Sequence, residues 1–250
     1  PTIVYTRILK SLYPDCPVVL GGIEASLRRV SHYDYWKQQL RPSILEESGA
    51  DLIVYGMGEL PTIELVHLLE NRLGHHRDEC IVSVRDFHEI LRKYPIRQTV
   101  TLMKREDIPG GITPEDILLA SHETCLTDRK AHARNFRHIE EESNSMEPKR
   151  LIQPLECHYT TDHLMRCIPY ETQGGNERDD SGKGIRYVIV NPMFPPMTQE
   201  QIDHSFDLPY TRLPHPKYKG KTIPAYEMIK FSVNLHRGCF GGCAFCTISA

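Results

Sequence analysis

At 250 residues the chain has room for one large domain or two small ones. Its 40% hydrophobic and 25% charged residues are ordinary for a globular protein. A formal net charge of −3 gives no field that would select nucleic acid or an anionic membrane surface, and no apolar run reaches the roughly 18 residues of a membrane span.

Pro1-Thr2 leads straight into IVYTRILKSLY without an initiator Met, a pattern that predicts a helix over 2–13, with Ile3, Ile8 and Leu12 near one face. No basic-then-apolar leader opens the sequence, so nothing in it argues for export and the expected compartment is the cytoplasm. PVVLGG follows, a short β-branched run stopping at Gly21-Gly22, in the form of a buried strand that feeds a loop. Residues 23–48 read as a loop with helical pieces. ADLIVYGMGE repeats the strand-then-glycine pattern, with Asp51 to Tyr55 as the strand and Gly56 and Gly58 in the loop. LPTIELVHLLENRL predicts an amphipathic helix with Pro61 in its first turn and Ile63, Val66, Leu69 and Leu73 on one face. Helix, strand, loop, strand, helix is the rhythm of an open parallel sheet in an α/β fold.

Ligands of such sheets bind beyond the carboxyl ends of the strands. Gly21, Gly22 and Gly58 lie at that edge and would let a backbone approach a ligand, and Glu24 and Glu59 just past them could accept its hydrogen bonds. Simple tight turns explain the same glycines equally well. Neither loop fits GxGxxG, so no dinucleotide site is expected.

Beyond residue 80, CIVSVRDFHEILRKY reads as a strand entering a helix, residues 95–115 as a Pro/Gly connector, and the stretch from Pro114 to Ser143 as charged and helix-compatible. His122, His132, His138, His158 and His163 follow no common ligand spacing and read as surface or satisfied polar residues. Residues 171–184 have the composition of an exposed loop. RYVIVNPM predicts a strand ending at Asn191-Pro192. Four prolines at 209, 214, 216 and 224 exclude a long helix or central strand there, leaving an extended strap on which Arg212, His215 and Tyr218 are further candidate contacts. MIKFSVNLHR alternates enough to be a strand. The domain reading is 1–95 as the C-terminal part of an α/β domain, 96–187 as a helical or irregular connecting region, and 188–250 as the strap and the start of a second core.

Of the eight cysteines, Cys16, Cys80, Cys125, Cys157 and Cys167 are scattered and read as structural thiols. Cys239, Cys243 and Cys246 crowd into HRGCFGGCAFC, a spacing that points to metal or redox chemistry in a reducing compartment. The glycines among them free the backbone to turn three thiolates toward one point. Three thiolates can hold three irons of a cubane cluster and leave one iron open. They could also form a closed tetrahedral zinc site with His236, in a non-catalytic metal or redox module, although no second pair of knuckle cysteines is present.

The Cys-x3-Cys-x2-Cys spacing resembles the CxxxCxxC motif of the radical S-adenosylmethionine superfamily, and Phe245 matches the aromatic before its last cysteine. VVLGGIEASLRRVSHYDYW, ADLIVYGMGE, LPYTRLPHPKY and IPAYEMIKFSVNLHRGCFGGCAFC together look like the YgiQ family of that superfamily, a resemblance weakest between about residues 80 and 180. It implies a [4Fe-4S] cluster on Cys239, Cys243 and Cys246, S-adenosylmethionine on the open iron with Phe245 near its adenine, and an external one-electron donor. It implies a partial Rossmann-like sheet of the cobalamin-binding type, followed by the first strand and cysteine loop of a partial (β/α) barrel. The usual cobalamin-ligating segment would lie upstream of Pro1, so cobalamin stays an open candidate. The substrate is not implied. Both ends of the sequence read as cuts through a longer protein, so residues 1–250 alone are expected to support no multiple turnover.

Overall fold

A computed structural model describes residues 1–73, 82–155 and 185–233. The chain divides into two compact units, one reaching to Pro195 and one beginning at Pro196. In the first, α1 (Thr2–Leu12) leads to β1 (Val19–Leu20), α2 (Gly22–Leu27), a small antiparallel hairpin of β2 (His32–Asp34) and β3 (Gln39–Arg41), α3 (Ile44–Ser48) and β4 (Leu52–Val54). Then come α4 (Glu59–Leu73), α5 (Val84–Lys93), β5 (Thr99–Lys104), β6 (Ile117–Leu118), α6 (His122–Thr127), α7 (Arg129–Ser143), β7 (Leu151–Leu155) and β8 (Arg186–Val190).

Among the described residues six strands form one sheet in the order β1-β4-β5-β8-β7-β6. β1 and β4 pair in parallel, as the strand-then-glycine rhythm predicts, and so do β6 and β7; β5 is antiparallel to both β4 and β8, and β7 is antiparallel to β8. The sheet is therefore mixed, and the expected open parallel sheet is found in its β1/β4 part. Residues 96–187, expected to be helical or irregular, supply β5, β6 and β7 and the first residues of β8. β7 contains Pro154, which a central strand excludes. Its neighbours Arg150 and Ile152 turn their carbonyls to β6, and β6 pairs no further than Ile152, so the missing N–H of Pro154 faces the side where no ladder bond remains.

Alternation along β4 sorts the core. Ile53 and Tyr55 join Leu20, Ile44, Val100 and Val188 on one face, while Leu52 and Val54 meet Leu65 of α4 and Phe87 and Leu91 of α5 on the other. The buried side of α4 thus carries Leu65, Leu68 and Leu69, whereas Ile63 and Val66 of the expected apolar face are about half exposed. α1 also docks differently from its apolar pattern. Ile3 packs on the core and Thr6 is buried, while Ile8 and Leu12 face outward. Polar anchors set this orientation: Arg7 Nη2 donates to the Glu47 carbonyl at 2.7 Å and Lys10 pairs with Asp51.

Helix starts follow the sequence chemistry. Ser43, Ser83, Ser121 and Asp128 each cap a helix by accepting a backbone N–H, and Gly49 ends α3 in the left-handed region at φ 74°. Asp51, just before β4, is a buried carboxylate that accepts from Val18 N at 2.6 Å, His88 Nε2 at 3.0 Å and Lys10. Burial alone would raise its pKa, but the bonds from His88, Lys10 and Val18 N hold it below the ordinary carboxylate value. A depressed folded pKa gives stability that is present above the unfolded value of about 3.9 and lost as pH falls through the folded one. Denaturation midpoints of the full-length protein should therefore exceed those of Asp51→Asn at pH 6, with the gap closing toward pH 3. A gap that does not change with pH would refute this role.

In the second unit, α8 (Gln199–Phe206) opens with a capping box between Thr198 and Gln201, and α9 (Pro224–Ile229) starts on Pro224 in its first turn. α9 overturns the expected strand for Met228 and Ile229, Lys230–Phe231 form a turn, and Ser232–Val233 carry no strand. The rest of MIKFSVNLHR lies outside the described residues.

Candidate functional site

Because β1 and β4 are adjacent and parallel, with Val19 opposite Leu52 and Leu20 opposite Ile53, their loops leave the same sheet edge. Gly21 caps α2 and Gly22 begins it; Gly56-Met57-Gly58 leads into α4. Gly22 has φ +82° with open space around its Cβ position, so the backbone conformation, not close approach, calls for glycine there. Gly56 has φ +67° and a Cβ would stand 3.2 Å from Gln98 Nε2. Gly56→Ala should accordingly destabilise the protein by about 1–2 kcal/mol, read as a lower urea midpoint; an unchanged midpoint would mean the loop relaxes freely. Gly21 and Gly58 have room for a Cβ at ordinary contact distance.

Two side chains that sequence reasoning missed tie these loops together. Ser26 Oγ donates to the Gly22 carbonyl at 2.8 Å and accepts from Gly56 N at 3.0 Å. Gln98 Nε2 donates to the carbonyls of Tyr55 at 2.8 Å and Met57 at 2.6 Å, and Gln98 adopts φ 59°, a conformation uncommon outside glycine. The edge is thus built on two rigid turns rather than on a loose loop.

The two predicted carboxylates have structural partners. Glu24 accepts from Thr2 Oγ1 and pairs with Arg28 at 3.3 Å one helical turn on. Glu59 opens α4, where the helix N-terminus favours a negative charge. Arg29, also missed, is buried at the same edge. Its Nη1 donates to the Ser26 carbonyl at 2.6 Å and its guanidinium lies 5.0 Å from the centroid of the Tyr55 ring. Tyr55 Oη donates to the Asn191 carbonyl at 2.6 Å, and burial pushes the Tyr55 pKa up to about 12.

In the second unit the strap candidates serve local contacts. Arg212 Nη2 donates to the Phe206 carbonyl at 3.3 Å, with its guanidinium 6.0 Å from the Tyr210 ring centroid. His215 Nδ1 accepts from Lys217 N at 3.2 Å, and Lys217 stands over the Tyr218 ring.

Cys239, Cys243, Cys246, Phe245 and His236 lie outside the described residues, as do Cys80, Cys157, Cys167, His158 and His163. Among the described residues no group of three His, Cys, Asp or Glu side chains is placed to hold a metal ion. Cys16 is exposed and Cys125 buried, and burial raises the Cys125 thiol to about 11, which suits a structural thiol. His122 is a satisfied polar residue: its Nδ1 is 2.8 Å from Ser31 Oγ, and burial lowers its pKa to about 4. Among the described residues no helix is long and apolar enough to cross a membrane.

Comparison with known proteins matches the chain to the family model "Radical SAM N-terminal" over residues 1–173 and 162–232. A UPF0313 protein of Bacteroides thetaiotaomicron is 51% identical over 250 residues, covering all of this chain and 35% of the relative. A UPF0313 protein of Porphyromonas gingivalis is 50% identical, covering all of this chain and 32% of its own length. The UPF0313 protein YgiQ of Escherichia coli is 38% identical over 272 residues, covering 99% of this chain and 35% of its own. The chain therefore spans about a third of the length of the curated relatives it matches. No solved structure matches it.

Proposed function

This chain belongs to the radical SAM N-terminal family, within the UPF0313 proteins that include YgiQ, and from that premise we propose that the full-length protein is a radical S-adenosylmethionine enzyme. The observation that carries the proposal is the Cys239-x3-Cys243-x2-Cys246 triplet, which stands just after the residues that the family model matches. Three thiolates and no fourth crowded cysteine are the donor set of a [4Fe-4S] cluster with one iron left for another ligand. When bound, such a cluster supplies the electron that cleaves S-adenosylmethionine reductively to methionine and a 5′-deoxyadenosyl radical, the electron coming from an external donor.

In this reading Cys239, Cys243 and Cys246 hold the cluster and Phe245 packs against the adenine. The cysteine segment belongs to the start of the catalytic core, and the glycine-loop edge of the first unit, with Gly21, Gly22, Glu24, Gly58 and Glu59, serves ligand binding. The parallel β1/β4 pair with its two glycine loops supports a relationship to Rossmann-like cofactor domains. A radical reaction needs a cavity closed to water, and the chain spans about a third of its curated relatives, so the activity is proposed for the full-length protein. The test is formation of 5′-deoxyadenosine by the anaerobically reconstituted full-length protein with reductant and S-adenosylmethionine. Its accumulation supports the proposal, and its absence from a protein shown to hold a reducible cluster would overturn it.

A further inference from the structure

α1 turns an apolar stripe to solvent. Val4, Tyr5, Ile8 and Leu12 are between 50% and 66% exposed, and at about 100° per residue they share one stripe about 100° wide. The side toward the fold carries Ile3, Thr6, Arg7 and Lys10 instead. A helix on a finished surface does the reverse, burying its apolar stripe and showing its polar one. β1 lies at the end of the sheet, with β4 as its ladder partner and none on its other side among the described residues. Leu20 belongs to the core cluster that Ile3 joins, whereas Val19 points to the other face and is 42% exposed. Apolar surface is therefore open on both faces near the β1 edge.

Contacts at its two ends fix the direction of α1. Thr2 at its start donates to Glu24 of α2, beyond the carboxyl end of β1, and Lys10 in its last turn pairs with Asp51, which precedes β4. β1 and β4 are parallel, so α1 starts at the glycine-loop edge and runs back to the opposite edge, where the chain turns into β1. That is the path of a crossover helix joining two parallel strands of one sheet. Such a helix packs on the strands it joins, yet α1 leans chiefly on α3. The chain spans 35% and 32% of two relatives, so the full-length protein has ample further chain to supply a strand. A second copy is a poorer occupant. An 11-residue helix is about 16 Å long, and one stripe of it falls short of the roughly 800 Å² that each partner gives to a stable interface.

We propose that the outward stripe of α1 and the free edge of β1 are one internal interface of the full-length protein, and that its occupant is the segment just before Pro1. That segment adds a strand parallel to β1 and covers Val4, Tyr5, Ile8 and Leu12. A strand parallel to β1 ends at the edge where Thr2 meets Glu24. The loop from that strand to Thr2 therefore stands beside Gly21 and Gly22, and the glycine-loop edge is incomplete without it. The interface is independent of the cysteine triplet and of the ligand role proposed for that edge.

The sign of one substitution separates a covered stripe from a wet one. Ala is the better helix former, so on a helix face in water Ile8→Ala leaves stability equal or higher. Under a packed cover the same change opens a cavity. In the full-length protein Ile8→Ala is expected to raise the unfolding constant at least about tenfold, read as a lower urea midpoint. A midpoint equal to or above the parent's would overturn the proposal. The occupant is identified separately, with p-benzoylphenylalanine replacing Tyr5 in the full-length protein, an aromatic exchanged for an aromatic. Illumination followed by peptide mapping should give cross-links within one chain to the segment before Pro1. Cross-links only to a second copy or to another part of the chain, or none at all, would overturn the proposal whatever the midpoint of Ile8→Ala.

Discussion

Changing any one of Cys239, Cys243 and Cys246 to Ala in the full-length protein is expected to abolish reductive cleavage of S-adenosylmethionine. Second-layer partners of metal ligands alone are worth roughly 10- to 100-fold, so loss of a ligand should lower 5′-deoxyadenosine at least about a hundredfold. A three-thiolate site has no spare ligand: His236 is the nearest alternative, and it is three residues from Cys239. Cys16→Ala and Cys125→Ala serve as controls and should leave cleavage unchanged. Cys16 is exposed and Cys125 is a buried thiol whose pKa lies far above neutrality. Cleavage that survives in one of the three triplet variants would remove that residue from the proposed ligand set.

The largest expected effect on stability is at Glu47. Its carboxylate pairs with Arg41, and the two side chains are 4% and 8% exposed. Arg41 ends β3 and Glu47 belongs to α3, so the pair ties the small hairpin to the helix that precedes β4. Glu47→Ala leaves the buried guanidinium without that carboxylate, and breaking one side of a buried pair costs about 3–5 kcal/mol. Urea denaturation of the full-length protein should show this as a lower midpoint for the unit that contains the sheet. The exposed pair of Lys93 with Glu89 should be nearly silent when removed, because solvent screens it and the side chains must be ordered to form it. A Glu47→Ala midpoint equal to that of Glu89→Ala would show that the hairpin does not depend on the buried charge.

Parts of this fold were legible because their signals are local. VVLGG and LIVYGMG each put a β-branched run directly before glycine, and β1 and β4 formed there, in parallel, with both loops at one edge. The antiparallel centre was not legible. β5 pairs with β8 across some ninety residues, Thr101 opposite Ile189, and nothing in TVTLMK announces that partner. Its flanking Pro95, Pro109 and Gly110 made the stretch read as a connector. LIQPL was hidden by Pro154, which is tolerated because β6 has ended where its N–H would be needed. MIKFSV has a strand-like alternation, yet Pro224 starts a helix that takes in Met228 and Ile229.

The candidate edge divides along the same line. Its glycines could be found from the strand pattern. Ser26, Gln98 and Arg29 could not, since Ser26 acts on Gly56 thirty residues away and Gln98 on Tyr55 forty-three away. Arg29 could not be told from its neighbour Arg28, since nothing in EASLRRV marks which of the two arginines is buried. The cysteine triplet is a local pattern written in consecutive residues, and it lies outside the described residues.

The most direct measurement is iron, sulfide and zinc analysis, with visible spectra, of the full-length protein purified and reconstituted without oxygen. The account predicts about four irons and four sulfides per chain and a broad visible absorption that bleaches on reduction. A colourless protein with one zinc per chain would contradict it and make the triplet, with His236, a closed structural site.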